Sequence, residues 1–451
     1  MNNEEVINII ALLFDNKGFE CMEETLINTK QLIENDFLIK IKQIENQKAS
    51  ELLASGWKYI KTATRTVIFT FGEMTFSRRC YKKGSEYCYP VDQTLGLLPY
   101  ARYSMEICCL IAKLATQMTY RAVASTIEET KGIHITKDTV LKVRKMVDEL
   151  YAAKDEFELL KDEEIIKRKK VDKLYIEGDG VIVKTPLKDE KNRTELAHFV
   201  IHEGVEKKYN RNTLINKHEI ISVSNKAARK LVLDYLYNTY EFDENSLIIT
   251  NSDMGKGYTA YTFNELVKSF GCKHEHFYDE YHVNDSIKRI FKNVPALKNK
   301  AIEAIKTHSR KNLKTVFDTF ESMITDEKIL QRFWDISKRI LTNFQYTLPA
   351  RKRGFSHEGI GIMESQHCKI SNRMKHRKMK WSIKGAETMA RMIIDIGQNK
   401  LDDLFFGEWR GGYIKMQLKG FSAAKLNVYT RGKKNIKESA YKIDYNGWIK
   451  I

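Results

Sequence analysis

Apolar positions recur at helical spacing from residue 4 to about residue 62, with charged faces between them, and predict two or three helices. Residues 66–81 then alternate apolar and polar about Gly72-Glu73, a β-hairpin signal with Arg78 and Arg79 near its end. Pro90 and Pro99 punctuate a loop before an apolar helix predicted over 103–118. A short helix at 119–130, a turn at Gly132, an N-capping Thr136 and a second helix from about Lys137 make a helix-turn-helix pattern. A charged helical stretch over 151–172 follows. Short apolar runs at 174–178, 181–184, 197–204, 220–223, 247–250 and 274–278 then predict strands, with one helix at 225–240. Strands paired antiparallel and then crossed over by helices predict a mixed α/β sheet. From about 284 to 345 the pattern is helical throughout, and 364–397 is helical again. The tail, 407–451, is rich in Gly, Lys and Tyr and has no legible period.

Composition narrows the partner. The chain has 451 residues, room for two or three domains. Charged residues make up 30%, and 5 Pro with 23 Gly suit a folded, helix-rich chain. The formal charge of +17 favours a polyanion. A Lys-rich surface without such a partner is the plainer alternative. No apolar stretch approaches the ~18–20 residues of a membrane span, and the acidic start, Met1 to Glu5, is unlike a signal peptide. Seven cysteines, at 21, 80, 88, 108, 109, 272 and 368, show no paired spacing and fit a reducing, cytoplasmic setting, nucleoid-associated when DNA is bound.

Two aspartates draw the chemistry in. Asp179 closes the run Lys173–Gly178, and Asp253 closes Ser246–Ser252. Acids where strands leave a sheet bring like charges together in a partly desolvated place, which costs stability unless a cation neutralises them. Phosphodiester cleavage uses two Mg²⁺ ions bridged by a carboxylate, with further acids on each, and Mn²⁺ can substitute. Asp179 suits the bridging role, with Asp253 and the helix-borne Glu364 completing the set. Each has a plain structural reading too: Asp179-Gly180 as a hairpin turn, Asp253 as an Asx-capped loop, Glu364 as a residue favouring a helix N-terminus. Gly255-Lys256-Gly257 lacks the spacing of a phosphate-binding loop.

Cys272, His274, His276, Asp279 and His282 offer a competing zinc set, but strand alternation would send the first three to one face and leave the tetrahedron unclosed. Glu177 shares a face with Asp179 as a supporting acid or a surface residue. Lys369, Arg373, Lys375, His376, Arg377, Lys378 and Lys380 crowd the segment after Glu364, where repulsion favours a nearby polyanion. Arg351, Lys352 and Arg353 add a second cluster. In the helix-turn-helix, Lys137, Thr139, Lys142 and Arg144 would lie on or near the groove-facing side, unless the pair is a plain helical hairpin. Trp334 reads first as a core residue, and second as a platform for a base.

The stretches Gly359–Ser365, Arg373–Arg377 and Trp381–Glu387 resemble the catalytic-helix region of bacterial insertion-sequence transposases of the ISLre group, relatives of the Mutator-like transposases. The resemblance runs from the hairpin near Thr66 to about residue 413. It implies an RNase H-like core with an Asp-Asp-Glu triad, interrupted before the glutamate by an all-helical insertion. Asp253 lies 74 residues after Asp179, and Glu364 lies 111 after Asp253, an interval that the helical residues account for. The resemblance makes Asp179, Asp253 and Glu364 the metal ligands, and it matches Asp279 and His282 to an Asp-x-x-His signature that supports the active site.

The expected fold is therefore α/β, an RNase H-like mixed sheet with an all-helical insertion, preceded by a mostly helical region containing a β-hairpin and a helix-turn-helix. The segments are a helical start (1–65), hairpin and loop (66–100), helix-turn-helix (101–150), linker helix (151–172), first part of the core (173–283), insertion (284–350), glutamate-bearing part (351–406) and basic tail (407–451). The expected function is a transposase that binds an insertion sequence's terminal repeats, cleaves with Mg²⁺ and joins 3′-hydroxyl ends to target DNA, as a homo-oligomer on double-stranded DNA and away from membranes. A non-catalytic DNA-binding regulator or domesticated relic, and a structure-selective RNase H-like nuclease, are the alternatives.

Overall fold

The structure, a computed structural model, describes residues 16–160, 168–186, 192–209, 211–255, 257–356, 358–377 and 379–418. Residues 1–15 of the expected helical start, 161–167 of the linker helix, Lys256, Lys378 and 419–451 of the tail lie outside the described residues. The chain divides into two compact units, 1–143 with 414–451, and 144–413.

Among the described residues of the first unit one long helix, α1 (Asn16–Ala54), runs unbroken through most of the stretch expected to hold two or three. Gly56, at φ 84°, ends it. The chain then enters β1 (Lys58–Phe69), eight residues earlier than the hairpin signal suggested, because Lys58–Arg65 pairs along β2 (Gly72–Lys83). The two-residue turn is Thr70-Phe71, since Phe69 pairs with Gly72. A short β3 (Glu86–Cys88) extends the sheet. Its core is Ile41, Val67, Phe69, Met74, Phe76, Val91 and Leu97. After α2 (Pro90–Thr94) and α3 (Met105–Ala115), the expected pair of helices forms as α4 (Tyr120–Lys131) and α5 (Lys137–Leu160). Gly132 closes α4 in the left-handed conformation at φ 62°, and Thr136 Oγ1 accepts the Thr139 N–H at 3.4 Å.

The second unit is built on a five-stranded sheet in the order β12-β11-β5-β6-β9. These strands are β5 (Lys173–Lys184), β6 (Arg193–His202), β9 (His218–Ser222), β11 (Leu247–Ser252) and β12 (Lys273–Tyr278). β5, β6 and β9 are antiparallel neighbours, whereas β11 runs parallel to β5 and β12 parallel to β11. The parallel pairs need crossovers, supplied by α6 (Asn225–Thr239) and α7 (Ala260–Val267). Their Ala228, Val232, Leu236, Phe263 and Leu266 pack on Leu174, Ile176, Phe199 and Ile201. Strand alternation sends Tyr175, Glu177 and Asp179 to the other face, where Tyr175, Ile249 and Phe277 pack with Ala350. Two pieces escaped the sequence reading: the ribbon of β7 (Val205–Lys208) and β8 (Arg211–Leu214), and the short pair of β4 (Lys169–Lys170) with β10 (Tyr240–Glu241).

The stretch read as helical throughout is four helices, α8 (Glu280–Ile290), α9 (Pro295–Lys306), α10 (Arg310–Glu321) and α11 (Glu327–Thr342). They form their own core from Ile287, Phe291, Leu313, Phe317, Phe320, Phe333 and Ile340, which also takes in Met254 and Tyr278 from the sheet's end. Trp334 is not in that core, being 43% exposed, with its indole N–H on Glu321 at 2.9 Å; Phe333 beside it fills the interior. The chain closes with α12 (Met363–Met374), α13 (Ile383–Gly397), α14 (Leu401–Phe406) and α15 (Trp409–Leu418). Among the described residues no helix is long and apolar enough to cross a membrane. Cys80, Cys88, Cys108, Cys109, Cys272 and Cys368 are free thiols.

Candidate functional site

Asp179 does not end its strand. The two runs expected on either side of a turn are one twelve-residue strand, with Asp179 paired opposite His198. Gly178 and Gly180 allow this: a Cβ at the first would collide with Phe199, and one at the second with Glu195. The expectation holds in one respect, since the parallel ladder with β11 stops at Glu177 and Asn251, and Asp179 lies just beyond it. Asp253 follows the last residue of β11. Its Oδ1 accepts the Gly255 N–H at 2.7 Å, and Met254 between them is held at φ 67°.

The charge of Asp253 reaches Asp179. Burial first, and then the charge of Asp253, push Asp179 up to about 6, against the Gly180 N–H that it accepts at 2.6 Å. His282 stands near enough to oppose the shift, and Glu195 near enough to add to it. Asp279 caps α8, accepting the N–H groups of Tyr281 and His282 at 2.8 and 3.2 Å, and so fixes the start of the helix that carries His282.

Glu177 is no surface residue: it is 1% exposed and latches the loop in front of α12. Its two oxygens accept the N–H groups of Gly361 and Ile362 at 2.7 and 2.9 Å. Gly359 and Gly361 both take positive φ, 84° and 80°, and a Cβ at Gly359 would meet His202 at 3.0 Å. His202, stacked on Tyr175 at 4.8 Å, sits 3.1 Å from the Gly359 carbonyl. The loop that introduces Glu364 is thus tied to β5 and β6 at three points. Burial raises Glu177 to about 7, with the two N–H groups and Asn251 opposing and Asp279 adding. Folded Glu177 therefore binds a proton more tightly than unfolded Glu177, and stability falls as pH rises from 4.5 to 7, by on the order of 3 kcal/mol. Glu177→Gln should flatten the pH dependence of unfolding across that window; a slope equal to that of the parent protein refutes the assignment.

Glu364 occupies the first turn of α12 and is exposed. Among the described residues no three His, Cys, Asp or Glu side chains stand close enough together to hold a metal. The structure thus brings Asp179 and Asp253 together and leaves Glu364 apart from them. His367, three positions on and therefore on the same helix face, reaches Asp179, with Nδ1 3.6 Å from Oδ2. It stacks on the buried His198 at 5.3 Å. His198 Nε2 lies 3.0 Å from Glu219, whose carboxylate also receives Lys369 at 2.5 and 2.6 Å and Lys217 at 2.8 Å. Burial alone would raise Glu219, but His198 and the two lysines hold it well below the carboxylate range.

The zinc reading finds no support here. His274 and His276 share a face, as alternation required, and both bind the Thr250 hydroxyl, at 2.8 and 2.7 Å. Three residues expected to touch DNA are engaged by the chain itself instead. Lys369 is held by buried Glu219. Arg373 is 2% exposed and stands over the Trp381 ring at 5.1 Å. Arg144 is 6% exposed and pairs with Asp148 at 2.8 Å. Positions 369 and 373 are one turn apart on the inward stripe of α12, which their charge disguised. Lys137, Lys142, Lys375, Arg377 and Lys380 are exposed, Thr139 is half-buried, and Lys378 lies outside the described residues.

Sequence reasoning missed four contributors: His367, His202, Glu195 and Arg339. Arg339, on α11, donates to the Met254 carbonyl at 3.2 Å and so ties the helical insertion to the Asp253 loop. Only His367 had a signal, its three-residue spacing from Glu364.

A UPF0236 protein of Streptococcus gallolyticus from the vanSb 3′ region is 29% identical over 407 residues, covering 89% of this chain and 88% of its own. One from Caldanaerobacter subterraneus subsp. tengcongensis, named after eleven loci, is 24% identical over 402 residues, covering 87% and 78%. Another from that organism, named after a single locus, is 25% identical over 403 residues, with the same coverage. Residues 16–401 match the uncharacterised protein family UPF0236 as a whole, and the chain belongs to that family.

Proposed function

We propose that this protein is a DNA transposase of the Asp-Asp-Glu type, akin to the ISLre group, working on an RNase H-like core. The observation that carries the reading is the pair Asp179, on β5, and Asp253, just past the end of its parallel neighbour β11, in a sheet ordered β12-β11-β5-β6-β9, with Asp179 pushed up by burial and by its partner's charge. Three antiparallel strands followed by two parallel ones, with helices crossing over, is the order such a core requires. The name built on eleven loci in one relative is what an element present in many copies would produce.

The donors suit a hard cation, since they are carboxylate oxygens, and at Asp179 burial and the charge of Asp253 outweigh the Gly180 N–H and His282. Asp179 and Asp253 would hold Mg²⁺, and Glu364, presented on the helix face that sends His367 to Asp179, would supply the third carboxylate. When bound, the ions neutralise charge at phosphorus and activate the attacking oxygen. The chain's own part is placement. Glu177 and His202 hold the loop ahead of Glu364, His367 rests against Asp179, and Arg339 fixes the loop after Asp253. Lys375, Arg377 and Lys380 are exposed beyond α12 and would meet phosphates there, and the helix pair α4–α5 would take the terminal repeats through Lys137 and Lys142.

The test is incubation of the full chain with Mg²⁺ and duplexes that end in the inverted repeats flanking its own gene. Nicking at those ends, followed by joining to a second duplex, is expected. DNA binding without any nicking defeats the enzymatic reading, and cleavage indifferent to the ends without joining favours a structure-selective nuclease.

A further inference from the structure

The β7–β8 ribbon carries three unusual features. Its register places Lys208 directly opposite Arg211, and like charges across a strand pair are destabilising. Among the described residues one carboxylate pairs with them, Glu206, at 2.6 Å from Lys208, while Lys207 adds a third cation on the same four-residue strand. Tyr209 follows Lys208 at the tip. It is fully exposed, and at φ 48° it holds a left-handed conformation that aromatic side chains rarely adopt. Finally, among the described residues the ribbon pairs with no third strand, although a lone two-stranded hairpin is marginal in water.

Its root is firmly set. Ile215 and Gly204 close the base, with Glu203 N–H on the Ile215 carbonyl at 2.9 Å and Ile215 N–H on the Gly204 carbonyl at 3.0 Å. His202 lies 3.1 Å from both the Gly204 and Gly359 carbonyls, so the ribbon and the loop ahead of Glu364 share one anchor. Beyond the ribbon, Lys217 donates to Gln366 of α12 at 3.0 Å. The ribbon therefore leaves the sheet beside the candidate catalytic loop.

We propose that the β7–β8 ribbon is a DNA-binding arm, gripping duplex phosphates through Lys207, Lys208 and Arg211 with Tyr209 leading into the groove. A polyanion is the partner that relieves the paired cations. Four residues per strand extend about 13 Å, and a two-stranded ribbon fits a major groove about 12 Å wide. The inference rests on the transposase reading for its choice of DNA, and it gives that reading a clamp on the substrate next to the acids.

The experiment compares duplex binding by the full chain and by its K207A/K208A/R211A variant across a salt series. Because each neutralised phosphate contributes about 0.9 to the slope of log affinity against log salt, the variant should lose roughly 2–3 from that slope, equally for terminal-repeat and unrelated duplexes. The charge-keeping variant K207R/K208R/R211K should retain it. An unchanged slope in the alanine variant overturns the proposal, as does equal loss in the charge-keeping variant, or a loss seen with single-stranded DNA but not with duplex. Nicking by the parent protein is scored separately. Its absence sinks the transposase reading, whereas the slope alone judges the ribbon.

Discussion

Asp179→Asn should reduce Mg²⁺-dependent nicking by at least about a thousandfold, equivalent to about 4 kcal/mol of transition-state stabilisation, while end binding persists. It should also make the protein more stable in the absence of divalent metal. The folded carboxyl stands at about 6 against an ordinary 3.8, so above pH 6 its ionisation works against folding. Removing that charge should return on the order of 1–3 kcal/mol at pH 7.5. Added Mg²⁺ should then stabilise the parent protein, by about 2.7 kcal/mol at a hundredfold excess over the dissociation constant, and leave the variant unmoved. Nicking and thermal unfolding with and without Mg²⁺ check both halves. A variant that loses activity and stability together would mark Asp179 as a structural residue and defeat the assignment.

Glu219→Ala should be the most damaging single change to the fold. The Glu219 side chain is wholly buried between His198, Lys369 and Lys217. Breaking a buried ion pair on one side costs about 3–5 kcal/mol, because the partner charge remains without compensation. Here two lysines, each with 28% of its side chain exposed, would be left facing each other. The pH dependence has a definite sign. Glu219 is held below its ordinary 4.5, so its contribution is complete above that value and disappears as pH falls through its folded one. Denaturant unfolding should show a deficit of several kcal/mol at pH 7 that narrows in acid. A deficit below about 1 kcal/mol would contradict the role given to Glu219. The consequence reaches the site, because His198 on Glu219 carries His367, and His367 rests on Asp179.

Much of the framework was legible because it depends on local rules. Short apolar runs located β5, β6, β9, β11 and β12, and a helical period without interruption marked 284–345. The N-cap Thr136 and the left-handed Gly132 bounded the α4–α5 turn within a residue or so. The failures share a cause. Lys58–Arg65 was read as part of the helical start because its few apolar positions carry no strand period, and pairing with β2 made it a strand. Asp179-Gly180 was read as a turn because that dipeptide favours one, but pairing with β6 held it extended. Lys369, Arg373 and Arg144 were assigned to the surface because charged side chains usually lie there. Burial beside Glu219, Trp381 and Asp148 was open only to a reader who already knew which strands and helices were neighbours.

The candidate site shows the same division. From sequence alone come Asp179 and Asp253 as acids beside strands, Glu364 at the head of a helix, the shared face of Glu177 and Asp179, and an excess of positive charge. These follow from residue type and period, which the chain carries with it. The tertiary structure decided the rest. It turned Glu177 from a possible surface acid into the buried latch of the Gly359–Ile362 loop. It brought His367 to Asp179, and it left the β7–β8 ribbon standing clear with its cations paired. The first two join residues that chain order keeps apart, as Glu177 meets Gly361 across 184 positions, and the ribbon is anchored beside the same loop through His202 and Gly359, 157 positions apart. Local propensity has no information on such pairs, because they exist only once the sheet has set its strand order and burial has made every unpaired polar group costly.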